Sequence, residues 1–240
     1  MSEEVKYQLI RSFGPSVFKI QIPKTIIDKL NEYIDKIIQD EQKQNELDFG
    51  NKLVGHVTQE FLLEREIIND SGWLKFLSMS VHKWIELETG NKIKKFNLNN
   101  SWIVRQFKNE YNPTHWHTGH ISGAGFLKVP KSFGEHKQKS KQTKYTGGNL
   151  QLIHGSKMFL CESTLTIKPE VGDFYFFPNY LMHTVYPFSG TDEERRSFPR
   201  NVKEKYKKTK KNTNNASNDT VSFSLFFNFI VIIFQVCVLL

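Results

Sequence analysis

The sequence predicts an α+β fold in which helices come first and a sandwich or barrel of short strands follows. Two observations lead there. Up to about Leu87, apolar residues recur at helical spacing. From Asn99 onward they gather into short runs, rich in aromatic and β-branched residues and bounded by Gly, Pro, Asn and Ser. Helices and strands that segregate rather than alternate exclude a βαβ architecture.

The first element is KTIIDKLNEYIDKIIQDEQKQN, residues 24 to 45, which sets Ile26, Ile27, Leu30, Tyr33, Ile34, Ile37 and Ile38 on one helical face. Pro23 stands just ahead of it, as at many helix starts. A second helix is expected over SGWLKFLSMSVHKWIEL, Ser71 to Leu87. The strands are then SWIVRQF, ISGAGFLKV, GGNLQLIHG, STLTIKP, GDFYFFP and HTVYPF. A polar, Lys-rich loop from Lys131 to Gly148 interrupts them.

The chain of 240 residues is long enough for one substantial core and a tail. Its net charge of +8 suggests nucleic acid until its distribution is followed. From Arg200 onward seven basic and two acidic residues supply +5 of that excess, so it belongs mainly to the tail. A short Lys run of this kind is a solvated linker and gives no specific evidence for nucleic acid. Two distant cysteines, Cys161 and Cys237, make neither a disulfide framework nor a zinc-finger spacing. With no apolar core of a signal peptide in MSEEVKYQLIRSFG, a reducing, cytoplasmic location is expected. The expected division is a body over 1–198, a basic disordered linker over 199–220 and an apolar segment over 221–240. That last segment is long enough to span a bilayer as a helix, with membrane contact through 221–240. It equally reads as a strand completing the body, or as unselected sequence after a lost reading frame.

The chemistry concentrates in NPTHWHTGH, where three of the eight histidines fall within six positions. His115 and His117 flank Trp116, and on a strand such alternate residues face the same way. A third ligand from a distant strand completes a facial site, and His183 in GDFYFFPNYLMHTVYPF is the candidate. Imidazole suits Fe, Zn, Cu and Ni. In the EERRS stretch Arg195 and Ser197 share a face while Arg196 points away. A guanidinium beside a hydroxyl is suited to grip a carboxylate.

His-x-His, SGAGFLKVP, GGNLQLIHGS, GDFYFFPNYLMHTVYPF and ERRS, in this order, resemble the iron(II)/2-oxoglutarate-dependent dioxygenases. They are most similar to a little-characterised 2OG-Fe(II) oxygenase group of phage and marine bacterial genomes, which carries His-x-His. The resemblance runs from about Gly50 to Ser197 and includes GNKLVGHVTQE. It implies a double-stranded β-helix, a cupin-like jelly roll with N-terminal packing helices. It implies Fe(II) at His115, His117 and His183, with no catalytic residue beyond these ligands. 2-Oxoglutarate would chelate the metal with its far carboxylate on Arg195 and Ser197. O2 would be the second co-substrate, and succinate, carbon dioxide and a hydroxylated product of unread identity would leave.

Two departures stand out. His117 occupies the position where most of the superfamily has a carboxylate. FPRNV stands where a final strand such as SFSFN is expected, and Pro199 removes a ladder donor there. The last strand is then damaged or supplied by TVSFSLFFNF. Both departures also suit a non-catalytic jelly roll that binds metal or ligand. A three-histidine cupin-type dioxygenase without co-substrate is a further alternative, against which Arg195 counts. His120 is read as a loop residue near the site, and His56, His82, His136 and His154 as structural or exposed. Trp102, Trp116 and Phe126 are read as core, Asp173 as a turn residue before a strand, and Lys131–Gly148 as a loop at the site mouth.

Overall fold

The computed structural model describes residues 6–10 and 14–202. It opens on two strands, β1 (Tyr7–Ile10) and β2 (Val17–Gln21), so strand and helix are less segregated than expected. Runs of four and five residues are too short to display a period; only Phe18 and Ile20, both buried, mark the inward side of β2.

Helix α1 (Lys24–Ile38) buries Ile26, Ile27, Leu30, Ile34 and Ile37, the face that the spacing predicts. The expected single helix to residue 45 is instead two. Asp40 adopts an extended backbone (φ −125°, ψ 101°) and its side chain accepts the Lys43 N–H at 3.0 Å. This caps α2 (Glu41–Leu47) and breaks the register. After a 3-10 turn at Gly50–Lys52 come β3 (Gln59–Leu62), α3 (Arg65–Asp70) and α4 (Trp73–Thr89). Gly90, at φ 71°, ends α4 in the left-handed conformation that glycine adopts without penalty.

Eight strands follow: β4 (Leu98–Gln106), β5 (Asn112–His115), β6 (Ile121–Lys128), β7 (Leu150–Ile153), β8 (Thr164–Ile167), β9 (Asp173–Pro178), β10 (Met182–Val185) and β11 (Arg195–Val202). They form a seven-stranded sheet, β1-β2-β9-β6-β11-β4-β3, and a four-stranded sheet, β5-β10-β7-β8. All pairings are antiparallel. Two such sheets face to face, with helices on the outer side of the larger, make the jelly roll, an α+β double-stranded β-helix.

Period-2 alternation along the strands sorts the core into layers. Phe174, Phe176 and Phe198 join Trp73, Leu77 and Leu30 beneath the helices. Tyr175, Phe177 and Phe126 join Leu150, Leu152 and Val185 between the sheets. Both faces of β9 are therefore covered, which is why GDFYFFP reads as one continuous apolar run. Gly123 and Gly125 on β6 let the Phe174 ring lie over that strand, since a Cβ at either would come within 2.5 Å of it.

The expected end of the body at 198 is moved outward. β11 runs through Pro199 to Val202, between β6 and β4. Its ladder to β6 is continuous from Ser197 to Val202, whereas the ladder to β4 steps from Ser197↔Val104 to Arg200↔Ser101. The missing proline donor costs a gap on one side and not the strand. Among the described residues no helix is long and apolar enough to cross a membrane. The linker beyond residue 202 and the apolar segment 221–240 lie outside the described residues.

Candidate active site

β5 ends on His115, and β10 sets His183 directly opposite it. Cross-strand partners share a face, so both rings project into the space between the sheets. His117 arrives by a different route from the expected strand alternation. The chain leaves β5 after His115, and Asn179, in the β9–β10 turn, then clamps the His117 backbone. The His117 N–H donates to the Asn179 carbonyl at 3.0 Å, and Asn179 Nδ2 donates to the His117 carbonyl at 2.8 Å. The ring centroids of His115 and His183 are 4.2 Å apart, with His117 at 5.0 and 4.9 Å from them. One nitrogen from each lies within 4.8 Å of the others.

Two of these rings have their tautomers set by the backbone. His115 Nδ1 meets the Pro113 carbonyl at 2.7 Å and His183 Nδ1 meets the Leu181 carbonyl at 3.0 Å. A carbonyl only accepts, so Nδ1 carries the proton and Nε2 presents its lone pair. Burial lowers the pKa of all three: His115 below its usual range, His183 well below, and His117, with His115 beside it, to about 3. Three neutral imidazoles with convergent lone pairs are a donor set that fits a divalent first-row metal.

Arg195 and Ser197 face the same cavity from β11. Arg195 is 1% exposed. Its Nη1 donates to Ser197 Oγ at 3.1 Å and to Gln106 Oε1 at 3.0 Å, and its guanidinium lies over the Phe126 ring. Gln106 is oriented by its own donation to the Glu110 and Tyr186 carbonyls, which turns its oxygen to Arg195. Among the described residues no carboxylate pairs with Arg195, and its Nε has no partner. Burial alone brings its pKa down to about 9. A buried cation with a free donor is incomplete until an anion arrives.

Arg196 points the other way, as the alternation requires. It meets Glu194 at 2.7 Å, Asp35 of α1 at 2.7 Å and Asn31 Oδ1 at 3.0 Å. Glu194 also takes Arg105 at 2.7 Å. Burial works against that carboxylate, but the Arg105 and Arg196 hydrogen bonds outweigh it and hold its pKa down to about 2. This network ties α1 to the main sheet on the side away from the histidines.

The histidines and Arg195 share one cavity of about 170 Å³. Its mouth is lined by Lys52, Leu53, Val54 and Gly55, and by Trp116. The Lys131–Gly148 loop is not there; it packs on the β10–β11 connection, with Phe133 against Phe188 and the Gly190 N–H on the Phe133 carbonyl. Trp102 and Phe126 are core as expected, whereas Trp116 is 62% exposed at the mouth. His120 lies outside the histidine group, its carbonyl accepting the Asn179 N–H. Asp173 closes a turn onto Glu170 and opens β9, buried against Lys19 at 2.7 Å. His82 and His136 each bond a backbone carbonyl, on Ser78 and Thr143.

Glu60 and Asn112 also line the cavity, and their residue types gave no signal in the sequence. Glu60 is 3% exposed, and burial above all, with Asp48 and Glu110 nearby, pushes its pKa up to about 8. Among the described residues no cation pairs with it, and it is not part of the histidine group.

Residues 100–201, from β4 through β11, match the family described as "Putative 2OG-Fe(II) oxygenase". That stretch is somewhat under half of the chain, and over it the chain is similar to the 2OG-Fe(II) oxygenases. It is accordingly a 2-oxoglutarate-dependent oxygenase, with Fe(II) as metal and 2-oxoglutarate and O2 as co-substrates. All five residues singled out for metal and co-substrate fall inside the match. Solved structures similar to it include a Pseudomonas putida prolyl-4-hydroxylase, at 12% identity and TM-score 0.48 over 82% of this chain and 92% of that one. Another is a viral collagen prolyl hydroxylase from Paramecium bursaria Chlorella virus-1, at 15% identity and TM-score 0.46, covering 82% and 94%. A third is a Trichoplax adhaerens prolyl hydroxylase in complex with a hypoxia inducible factor peptide, at 12% identity and TM-score 0.45, covering 80% and 81%. No curated protein matches.

Proposed function

We propose that this oxygenase hydroxylates its substrate from an Fe(II) held by His115, His117 and His183, with the far carboxylate of 2-oxoglutarate on Arg195 and Ser197. The observation that carries this is the pairing, in one cavity, of three convergent neutral imidazoles with a buried guanidinium that no carboxylate neutralises. Fe(II), when bound, supplies the activation of O2 and the oxidative decarboxylation of 2-oxoglutarate. Atoms balance as R–H, O2 and 2-oxoglutarate giving R–OH, succinate and carbon dioxide.

The chain's own groups bind and orient. Pro113 and Leu181 hold two imidazoles in the ligating tautomer, and Asn179 holds the third through its backbone. Gln106 and Ser197 hold the Arg195 guanidinium in place before the anion arrives. Trp102, Leu150 and Val185 wall the cavity with apolar surface, which strengthens the Arg195 contact by excluding water. With three histidines and no carboxylate, the donor set carries one negative charge fewer than a two-histidine, one-carboxylate site.

Anaerobic Fe(II) titration tests the metal assignment. The wild-type chain should take up one equivalent and release one succinate per 2-oxoglutarate consumed. His183→Ala should lose the iron while keeping its far-ultraviolet circular dichroism. Stoichiometric iron in a folded His183→Ala chain would remove His183 from the site.

A further inference from the structure

The cavity has a second polar end that the iron and the co-substrate leave unused. Glu60 on β3 pairs in register with Val104 on β4, which pairs with Ser197 on β11. The three therefore stand in one row across the same face, and at about 4.8 Å per strand Glu60 lies roughly 10 Å from Ser197. Asn112 stands at the start of β5 in the opposite sheet, and its Oδ1 is buried without a partner. A Cβ placed on Gly55 would lie 3.0 Å from Glu60 Oε1 and 2.4 Å from Asn112 Oδ1, so the two oxygens converge beside that glycine.

Two buried acceptors, one of them a carboxyl, thus face a common point in a cavity whose other end is a cation. Lys52 does not fill the gap: it is exposed at the mouth, its ammonium over the Phe49 ring at 5.3 Å. An unpaired acceptor beside a buried acid leaves both short of a donor, and a nitrogen donor that also carries positive charge is the partner that satisfies both and stabilises the Glu60 carboxylate. 2-Oxoglutarate, itself an anion, cannot be that donor.

We infer that Glu60 and Asn112 form the substrate-selecting subsite, and that it takes a basic nitrogen group, an ammonium or guanidinium, presented beside the carbon to be hydroxylated. This rests on the iron and 2-oxoglutarate assignment for the position of the reacting centre. It does not rest on it for the cation preference. The cation would convert Glu60 to its carboxylate on binding and donate to Asn112 Oδ1 at the same time. The two oppositely charged ligands would then be kept apart, 2-oxoglutarate at Arg195 and the basic group at Glu60.

The test uses the full chain loaded with Fe(II) and 2-oxoglutarate under argon. Binding is read by calorimetry and, after oxygen is admitted, succinate formation is read as well. The probes are L-lysine and L-arginine against their uncharged counterparts norleucine and citrulline, as free amino acids and inside otherwise identical short peptides. Basic probes should bind at least about tenfold tighter than the uncharged ones. Glu60→Gln should bring that ratio close to one. Preference shown only by the peptides marks a protein substrate, and preference shown by the free amino acids marks a small one. Equal binding of charged and uncharged probes to the wild-type chain overturns the inference, as does an unchanged ratio in a Glu60→Gln chain that still takes up iron. Loss of iron or 2-oxoglutarate binding in the wild-type chain would instead overturn the metal and co-substrate assignment, while the calorimetric ratio still decides the role of Glu60.

Discussion

Arg195 and Arg196 are neighbours in sequence with opposite energetic roles. Arg196 is fully paired, so replacing it by Met leaves Glu194 short of a partner inside the protein and should cost about 3 kcal/mol of stability. Arg195 is buried without a carboxylate, so Arg195→Met should leave the melting temperature of the iron-free chain unchanged or higher. The same change should weaken 2-oxoglutarate binding by at least about 30-fold, while Arg196→Met should not. Thermal melts and calorimetry on both variants decide it; the reverse pattern would mean that the strand register is misassigned. The opposite facing of these two side chains was legible in the sequence because alternation on a strand follows from backbone geometry alone. His117 was legible as a site residue but not in its route, since the Asn179 clamp is a contact between distant segments. Glu60 was not legible: an acid in a four-residue strand looks like any surface acid until the opposite sheet covers it.

At the scale of elements, β11 is the joint of the larger sheet. It lies between β6 and β4, so without it β1-β2-β9-β6 and β4-β3 would share no ladder. The helical period of α1 and α4 marked those helices in sequence, and the apolar, aromatic or β-branched runs of β4, β6 and β9 marked those strands by composition and their flanking turn residues. The break at Asp40 did not, because the apolar face of α1 is complete before it and a capping acid resembles any polar helix residue. Pro199 misled in the opposite direction, since a ladder gap on one side is tolerated when the other side is continuous. A chain ended after Lys211 should therefore keep iron binding and its melting temperature. One ended after Phe198, which cuts β11 in half, should be strongly destabilised and lose Arg195 from its place. Size-exclusion profiles and iron content of the two chains measure this. Aggregation of the longer one would show that residues beyond 211 belong to the body.

Across the whole molecule, two buried carboxyls shape the pH dependence of stability from opposite sides. An unfolded Glu titrates near 4.3. Glu194 is held to about 2 in the folded chain, so its contribution is present above about pH 4 and is lost as the pH falls toward 2. Glu60 is raised to about 8, so the folded chain keeps a proton that the unfolded chain releases. Its effect on stability is nil below about pH 4, grows more unfavourable between about 4 and 8, and levels off above. Below about 6.5 the unfolded chain also protonates its histidines, whereas burial keeps His115, His117 and His183 neutral in the fold. These three outweigh Glu60 there, so the iron-free chain should be most stable near about pH 6 to 7 and lose stability on the acid side through them and then through Glu194. Glu194→Gln should lower the melting temperature at pH 7 by roughly 8 °C, since it strands Arg105 and Arg196, and should flatten the acid side. Glu60→Gln should do the reverse, raising the melting temperature at pH 8.5 by several degrees and leaving it nearly unchanged at pH 4.5. Melting curves of the three chains across pH 3 to 9 measure both effects. The gain at pH 8.5 should shrink when L-lysine or L-arginine is added, because a bound basic group removes the cost of the Glu60 charge in the wild-type chain alone. A Glu60→Gln gain that is the same at pH 4.5 as at 8.5 would place its cause in packing rather than in the buried charge.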